Sequence, residues 1–543
     1  MPQTRAARVC EYCHAHKIRC DVVENKTSCS RCVARGEECK IRARKLYSSQ
    51  IRSARRRRKT YLNHNKSNQN APVEIAKIVA ASIPEPSSRI APIFVGDGGY
   101  GAILDSTAKL HELHFYIPAA AEKSLATEDL QYLKVKGCFT LPPESADLIT
   151  AYFRFVHPMF PVIDGASFLS QYNLYGFKGV NLLLLWSIFS VSVSYVPNLQ
   201  KKKCKEEYTN RAKLLFDLTH ENDKTVLIQS ALLLSFWFAD TEDVKHSWYW
   251  TSVAFGIAQT LGLYREFRSA LWRTIWKCCQ FRDVWLAFGM GRPLRINIAD
   301  CDRSALEDAA APFTDLMLHG ELIYSQQEAI ELGRMWQSLN DLTDFLREVI
   351  TTPAMPPSRI RTIKNNIDLE IKDKTVQSKL EHVHWHLRLH QQAVLIASGR
   401  ISGTKEDLTV SSDNTITTIL ECFQNSNSNP VMIQPAPLSI PLIVPAMTTY
   451  LSMLASEKME DRNKANQKLD ILVCFLRGIE DNYPAASILN RVCAASREPK
   501  KAGVRSAQPI ESVPSFSGGH FPFALPQNID WLRSNIIGPE QGS

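Results

Sequence analysis

The sequence lacks an apolar run long enough to cross a membrane. Its longest, residues 180–196, is interrupted by Asn181, Ser187, Ser190, Ser192 and Ser194. It falls short of the ~20 residues a spanning helix needs, and reads as a buried core helix. The opening stretch, MPQTRAARVCEYC, has no apolar segment of the kind a secretory leader carries. No export is therefore expected, and disulfides are not expected with it. The patterns G-x-S-x-G, H-E-x-x-H and G-x-x-x-x-G-K-[ST] are absent. That removes the sequence grounds for an α/β-hydrolase elbow, a zincin or a phosphate loop. Gly96-Asp97-Gly98-Gly99-Tyr100-Gly101 does match G-x-G-x-x-G, but no second strand ending in an acid follows at the needed distance. It reads as a turn-rich connector.

Acidic residues are scarce at one end only. Residues 1–62 hold 17 Lys and Arg against five acids, a balance of +12. The other 481 residues hold 47 basic and 50 acidic residues, so the net charge of +9 belongs to the N-terminal arm. Such an arm points to a polyanion, nucleic acid first. The whole chain is 543 residues, 45% hydrophobic and 22% charged, which exceeds one ordinary core and implies at least two units.

Six of the 14 cysteines, Cys10, Cys13, Cys20, Cys29, Cys32 and Cys39, fall within 30 residues. The spacing is C-x2-C-x6-C-x8-C-x2-C-x6-C, a duplication of C-x2-C-x6-C. A C-x2-C turn aims two thiolates at one metal, and a short following helix returns a third. Zinc takes four thiolates in a tetrahedron. Two zincs need eight ligand positions, so six cysteines suffice if two thiolates are shared. Cys10, Cys13, Cys29 and Cys32 alone fit a single-zinc ribbon, but leave Cys20 and Cys39 unused at symmetric positions. Cys10 to His14 matches a c-type haem attachment signature, which ignores four cysteines and normally accompanies export. His14 and His16 are not needed as ligands. The other eight cysteines, among them the adjacent Cys278 and Cys279, read as packing.

These cysteines, the helix segment ending Lys17-Ile18-Arg19-Cys20-Asp21 and the basic residues after it resemble the fungal Zn2Cys6 binuclear cluster transcription factors. The resemblance implies that Cys10 and Cys29 bridge two zinc ions. It implies that the first helix enters the DNA major groove with Lys17 on the bases, which suits CGG-like half-sites. His14 and His16 stand where the family usually has arginines, and the loop 21–28 lacks the proline often found there. Arg19, His14 and His16 would then hold phosphates, with Arg42, Arg44, Arg55, Arg56, Arg57 and Arg58 extending the contact through counterion release. The run 55–59 also fits a nuclear import signal.

From about residue 141 the texture is helical. Residues 146–156 place Leu148, Tyr152, Phe155 and Val156 on one stripe, stopped by His157-Pro158. Residues 180–196, 226–239 and 247–261 read as further helices, the last closed by Gly262. Tyr152-Phe153 with His157 to Val162, residues 229–237, Ser247-Trp248, residues 258–263 and Gly291-Arg292-Pro293 with Arg295-Ile296 resemble the middle homology region of the same regulators. Within that family the chain is most similar to the cutinase transcription factor subfamily.

The expected fold is a small Zn2Cys6 binuclear cluster module at the N-terminus plus a large all-α regulatory domain, with a disordered linker and C-terminal tail. Boundaries are expected as a tail at 1–9, the cluster at 10–39, a basic arm at 40–62 and a linker at 63–140. The helical domain spans 141–495, with its core at 141–310, and the tail is 496–543. The resemblance implies a nuclear, sequence-specific regulator of RNA polymerase II transcription, not an enzyme, holding two zinc ions per chain. It would control lipid or cutin utilisation or a secondary-metabolite gene cluster. Its partners would be double-stranded DNA, the transcription machinery and a second copy of the chain, with no membrane. The competing readings are a single-zinc ribbon interaction protein and a helical enzyme. Arg292 is expected to form a structural ion pair with Asp300 or Asp302.

Overall fold

The computed structural model describes residues 10, 13, 28–36, 39 and 40, two strands at 86–94 and 114–120, and 125–497 with gaps, the larger at 237–245, 302–308, 366–377 and 429–434. The expected basic arm beyond residue 40, the C-terminal tail beyond residue 497 and the Gly96–Gly101 motif lie outside the described residues. Two units form, one holding the cysteine cluster and the other the helices. The first contains a single described helical turn, α1 (Ser30–Val33), started by Cys29 at its N-cap.

The second unit begins with a ribbon inside the expected linker. Strand β1 (Pro86–Phe94) pairs antiparallel with β2 (His114–Ala120), setting Ile93 opposite Phe115 and Ile90 opposite Pro118. Asn, Ser and Pro composition masked this short apolar pairing in the sequence. The antiparallel direction is also incompatible with the parallel strand–turn–helix unit a dinucleotide site requires. Helix α2 (Thr127–Val135) lies in the expected linker too.

Helices then follow without a larger sheet. α3 (Ser145–Ala151) runs into a π-helical turn, Tyr152–Val156, where the His157 N–H reaches the Tyr152 carbonyl at 2.9 Å. The wider turn buries Tyr152, Phe153, Phe155 and Val156 together, more than one α-helical stripe would. α4 (Gly165–Tyr175) precedes α5 (Leu182–Ser192), which is apolar all round and buried along its length. The Asn181 side chain caps α5 by accepting from the Leu184 amide at 3.2 Å. Among the described residues no single helix is long and apolar enough to span a membrane.

α6 (Lys201–Leu218) and α7 (Lys224–Leu234) pack against α5. α7 stops at Leu234, short of the expected 239, and the carbonyl of Ser235 beyond it accepts from Arg282 Nη2 at 2.7 Å. α8 (Ser247–Thr260) ends as expected at Gly262, whose φ of 69° is the left-handed conformation. There the Leu263 N–H bonds the Ala258 carbonyl and the Gly262 N–H bonds Gln259, a Schellman closure. α9 (Ala270–Met290) is buried over most of its length, with Cys278 and Cys279 fully enclosed. Burial pushes both thiols up, which keeps them protonated and unreactive.

The hairpin β3 (Met317–Leu318) with β4 (Glu321–Leu322) leads to α10 (Gln326–Thr351), opened by a capping box between Ser325 and Glu328. α11 (Glu381–Ser402), α12 (Lys405–Ser428), α13 (Ser439–Met453), α14 (Met459–Ile479) and α15 (Pro484–Arg497) complete the body. One continuous core runs through it, holding Trp186, Trp250, Trp276, Trp285, Trp336 and Trp385. Trp285 and Trp385 spend their indole N–H on Thr343 Oγ1 at 2.9 Å and the Thr418 carbonyl at 2.6 Å.

The expected Arg292–Asp300 pair does not form, and the Asp302 alternative lies outside the described residues. Arg292 lies over the Trp248 ring at 4.9 Å, while Asp300 accepts from Asn297. The buried pair is three residues on. Arg295 Nε donates to Asp283 Oδ1 at 3.2 Å, and Asp283 also accepts from the Arg295 and Ile296 amides. Asp283 is fully buried on α9, so the turn after Gly291 brings the Arg295 side chain inward.

Candidate metal centre

Local backbone repeats along with the sequence duplication. The Cys13 amide donates to Cys10 Sγ at 3.4 Å, and the Cys32 amide donates to Cys29 Sγ at 3.4 Å. Each C-x2-C turn therefore folds back on its first sulfur. The Cys29 amide in turn reaches Cys39 Sγ at 3.3 Å, which draws the last cysteine of the motif onto Cys29. Cys10, Cys13, Cys29 and Cys32 are buried and Cys39 is half-buried.

The sulfur positions test the donor set. A tetrahedron with Zn–S bonds of about 2.3 Å has S···S edges of about 3.8 Å. Cys10 Sγ lies 3.8 Å from Cys29 Sγ and 3.8 Å from Cys32 Sγ, and Cys13 Sγ lies 3.8 Å from Cys29 Sγ. The sulfurs of Cys10, Cys29, Cys32 and Cys39 all fall within 4.8 Å of one another. This group includes Cys39, which a single-zinc ribbon leaves unused. Cys13 stands outside that group, one tetrahedral edge from Cys29. The thiolate set suits zinc and is too crowded for unneutralised charge. The Cys32 amide holds the Cys29 thiol down at about 6, whereas hydrogen bonding to Cys29 pushes the Cys32 thiol up.

Cys20, His14, His16, Lys17, Arg19, Arg42, Arg44, Arg55, Arg56, Arg57 and Arg58 lie outside the described residues. The structure thus brings together five of the six expected cysteines.

Several polar features of the helical unit escaped the sequence reading. His382, His386 and His390 lie at four-residue intervals on α11 and are all buried. That spacing was visible as a stripe. Lys205 and Arg282 are buried cations on α6 and α9. Lys205 belongs to the lysine-rich run 201–205, which has the composition of a solvated face, so nothing in the sequence marked it.

The chain matches two families. Residues 8–48 match the fungal Zn(2)-Cys(6) binuclear cluster domain, and residues 149–381 match the fungal specific transcription factor domain. Among curated proteins it is similar to cutinase transcription factor 1 beta of Fusarium vanettenii, 32% identical over 38% of this chain and 25% of the relative. Cutinase transcription factor 1 alpha of the same organism is 28% identical over 56% of this chain and 41% of the relative. The acetamidase regulatory protein of Aspergillus oryzae is 35% identical over 31% of this chain and 23% of the relative. The chain therefore spans less than half the length of these relatives. Residues 8–48 and 149–381 thus carry the two domains, the two-zinc cluster and the regulatory domain, found together in the fungal Zn2Cys6 transcription factors.

Proposed function

We propose that the protein is a nuclear, sequence-specific DNA-binding regulator of RNA polymerase II transcription, with no enzymatic role. The observation that carries this reading is the sulfur geometry, in which Cys10, Cys29, Cys32 and Cys39 close on one another and Cys13 lies one tetrahedral edge from Cys29. One zinc would be held by Cys10, Cys29, Cys32 and Cys39, and the other by Cys10, Cys13, Cys20 and Cys29. The metal pair clamps the segment 10–39, since metal binding free energy is folding free energy in such modules. Within it Lys17 donates to guanine O6 and N7 in a CGG-like half-site. Arg19, His14 and His16 take phosphates, and the arm from Arg42 and Arg44 to Arg55–Arg58 adds cations that carry no sequence information. A metabolic regulon is supported by the names of the relatives, which include regulators of cutinase and acetamidase.

Selection of bound sequences from random DNA with the full chain tests the reading. An enriched CGG-like half-site is expected, and its spacing reports whether two copies bind. Lys17→Ala is expected to lower the ratio of specific to random binding by one to two orders of magnitude, equivalent to about 1–3 kcal/mol. Replacing Arg55–Arg58 with alanine should weaken both together and flatten the salt dependence by about one log unit per lost phosphate contact. Equal loss of discrimination from both changes would contradict this division of roles.

A further inference from the structure

Between α6, α9, α13 and α15 lies a cavity of about 230 Å³. Its walls are mainly apolar, with Trp285 and Met290 from α9, Ile440 from α13 and Leu489 from α15. Two cations break this surface. Lys205 is 5% exposed, and Arg282 is 3% exposed. Their partners are neutral. Lys205 Nζ donates to Ser194 Oγ at 2.9 Å and sits 4.4 Å over the Tyr483 ring. Arg282 gives Nε and Nη2 to Ser235 and lies 4.2 Å over the Phe236 ring. No carboxylate among the described residues pairs with either, and Arg282 Nη1 has no partner among them.

Buried cations whose described partners are all neutral cost stability, and so does unfilled volume. Both cations lie in the lining of one cavity. Burial pulls Lys205 down to about 7 and also lowers Arg282, the response of a charge held without its counter-ion. A smaller void of about 40 Å³ shares Lys205, Phe236 and Pro437 with the cavity and extends it toward His386 and His390. We propose that this cavity is a binding site for an apolar monocarboxylate, whose carboxylate lies between Lys205 and Arg282 and whose hydrocarbon body fills the space lined by Trp285, Met290 and Ile440. A dry cavity of 150 Å³ accepts benzene, so this one suits a body of about nine non-hydrogen atoms. Guanidinium is a planar donor matched to carboxylate, and the lysine adds a point charge. The exposed Ile488 on α15 marks the rim through which the ligand enters. Because α15 closes this side of the body, occupancy ties the end of the helical unit to α6 and α9.

Titration calorimetry on the full-length protein tests the site, with octanoate and 3-phenylpropanoate as probes and 1-octanol and octylamine as uncharged and cationic controls. One carboxylate per chain is expected to bind, with each control at least tenfold weaker. A preference between the two acids reports whether the body is a chain or a ring. Lys205→Met and Arg282→Met should each weaken the acid at least tenfold while the thermal midpoint holds or rises. Ala485→Phe, which fills the cavity from α15 without touching a charge, should abolish binding, and it decides the matter if a cation variant fails to fold. Equal affinity for octanol and octanoate, unchanged binding by the variants, or no heat from either acid at millimolar concentration would each overturn the proposal. DNA plays no part in the measurement, so its outcome is separate from that of the DNA-binding reading.

Discussion

At the scale of single residues, the six cysteines are not equivalent. On the proposed two-zinc arrangement Cys10 and Cys29 serve both ions, while Cys39, in the group with Cys10, Cys29 and Cys32, serves one. Removing a shared thiolate takes a ligand from two tetrahedra at once. Cys29→Ser is therefore expected to leave the purified protein with no zinc that resists a chelator, while Cys39→Ser retains one ion of the two. Metal analysis after chelator dialysis checks this. Equal retention in both variants would remove the bridging role of Cys29. Charge follows the same arithmetic. Two zinc ions and six thiolates lower the formal charge of residues 1–62 from +12 to about +10, so this N-terminal arm stays strongly cationic once metallated.

At the scale of elements, the Arg295–Asp283 pair fastens the first turns of α8 to α9. Arg295 Nη1 donates to the Trp248 carbonyl, Thr251 Oγ1 and Ser252 Oγ, and its guanidinium lies 3.7 Å over the Trp248 ring. Removing one partner strands the other. Arg295→Ala leaves the fully buried Asp283 without its cation, an expected loss of about 3–5 kcal/mol. Arg292→Ala forfeits a ring contact worth about 0.5–1 kcal/mol. Urea midpoints of the two variants decide, and an Arg292→Ala loss as large as that of Arg295→Ala would refute the assignment. The contrast also marks what the sequence could convey. Mainly apolar runs such as 182–192, and a glycine at a helix end such as Gly262, have local causes, so α5 and the end of α8 were legible. The gathering of Cys10, Cys29, Cys32 and Cys39 was legible for the same reason, because metal geometry dictates spacing. Which of two arginines faces inward depends on the turn at Gly291 and on a partner twelve residues away. The β1–β2 ribbon depends on pairing across nineteen residues, and the Lys205–Arg282 wall on helices far apart in sequence. Those arrangements arise from tertiary packing, which periodicity does not encode.

At the scale of the whole molecule, the helical body holds its buried histidines neutral, which ties its stability to pH. Burial lowers His157 to about 4 and His390 to about 3, and takes His382 well below the ordinary value. The unfolded chain titrates these groups near pH 6.5. Above that pH neither state binds the proton, and the stability they allow is fully present. As pH falls below 6.5 the unfolded chain takes protons that the folded chain refuses, so stability drops. The loss continues until each folded-state value is reached, near 4 for His157 and near 3 for His390. Each histidine contributes about 1.4 kcal/mol per pH unit in that window. A domain stable by about 5–15 kcal/mol cannot absorb three such slopes for long, so cooperative unfolding of the body is expected between about pH 6 and pH 4. Tryptophan fluorescence isolates this event, since all ten tryptophans lie from Trp186 onward and none is in the cysteine cluster. His390, whose ring meets Trp285 at 4.5 Å, supplies the control. His390→Phe keeps the aromatic contact and removes one titrating group, so the fall in stability between pH 6 and pH 5 should shrink by about 1.4 kcal/mol. An unchanged slope in that variant would mean that His390 is not held neutral by the fold.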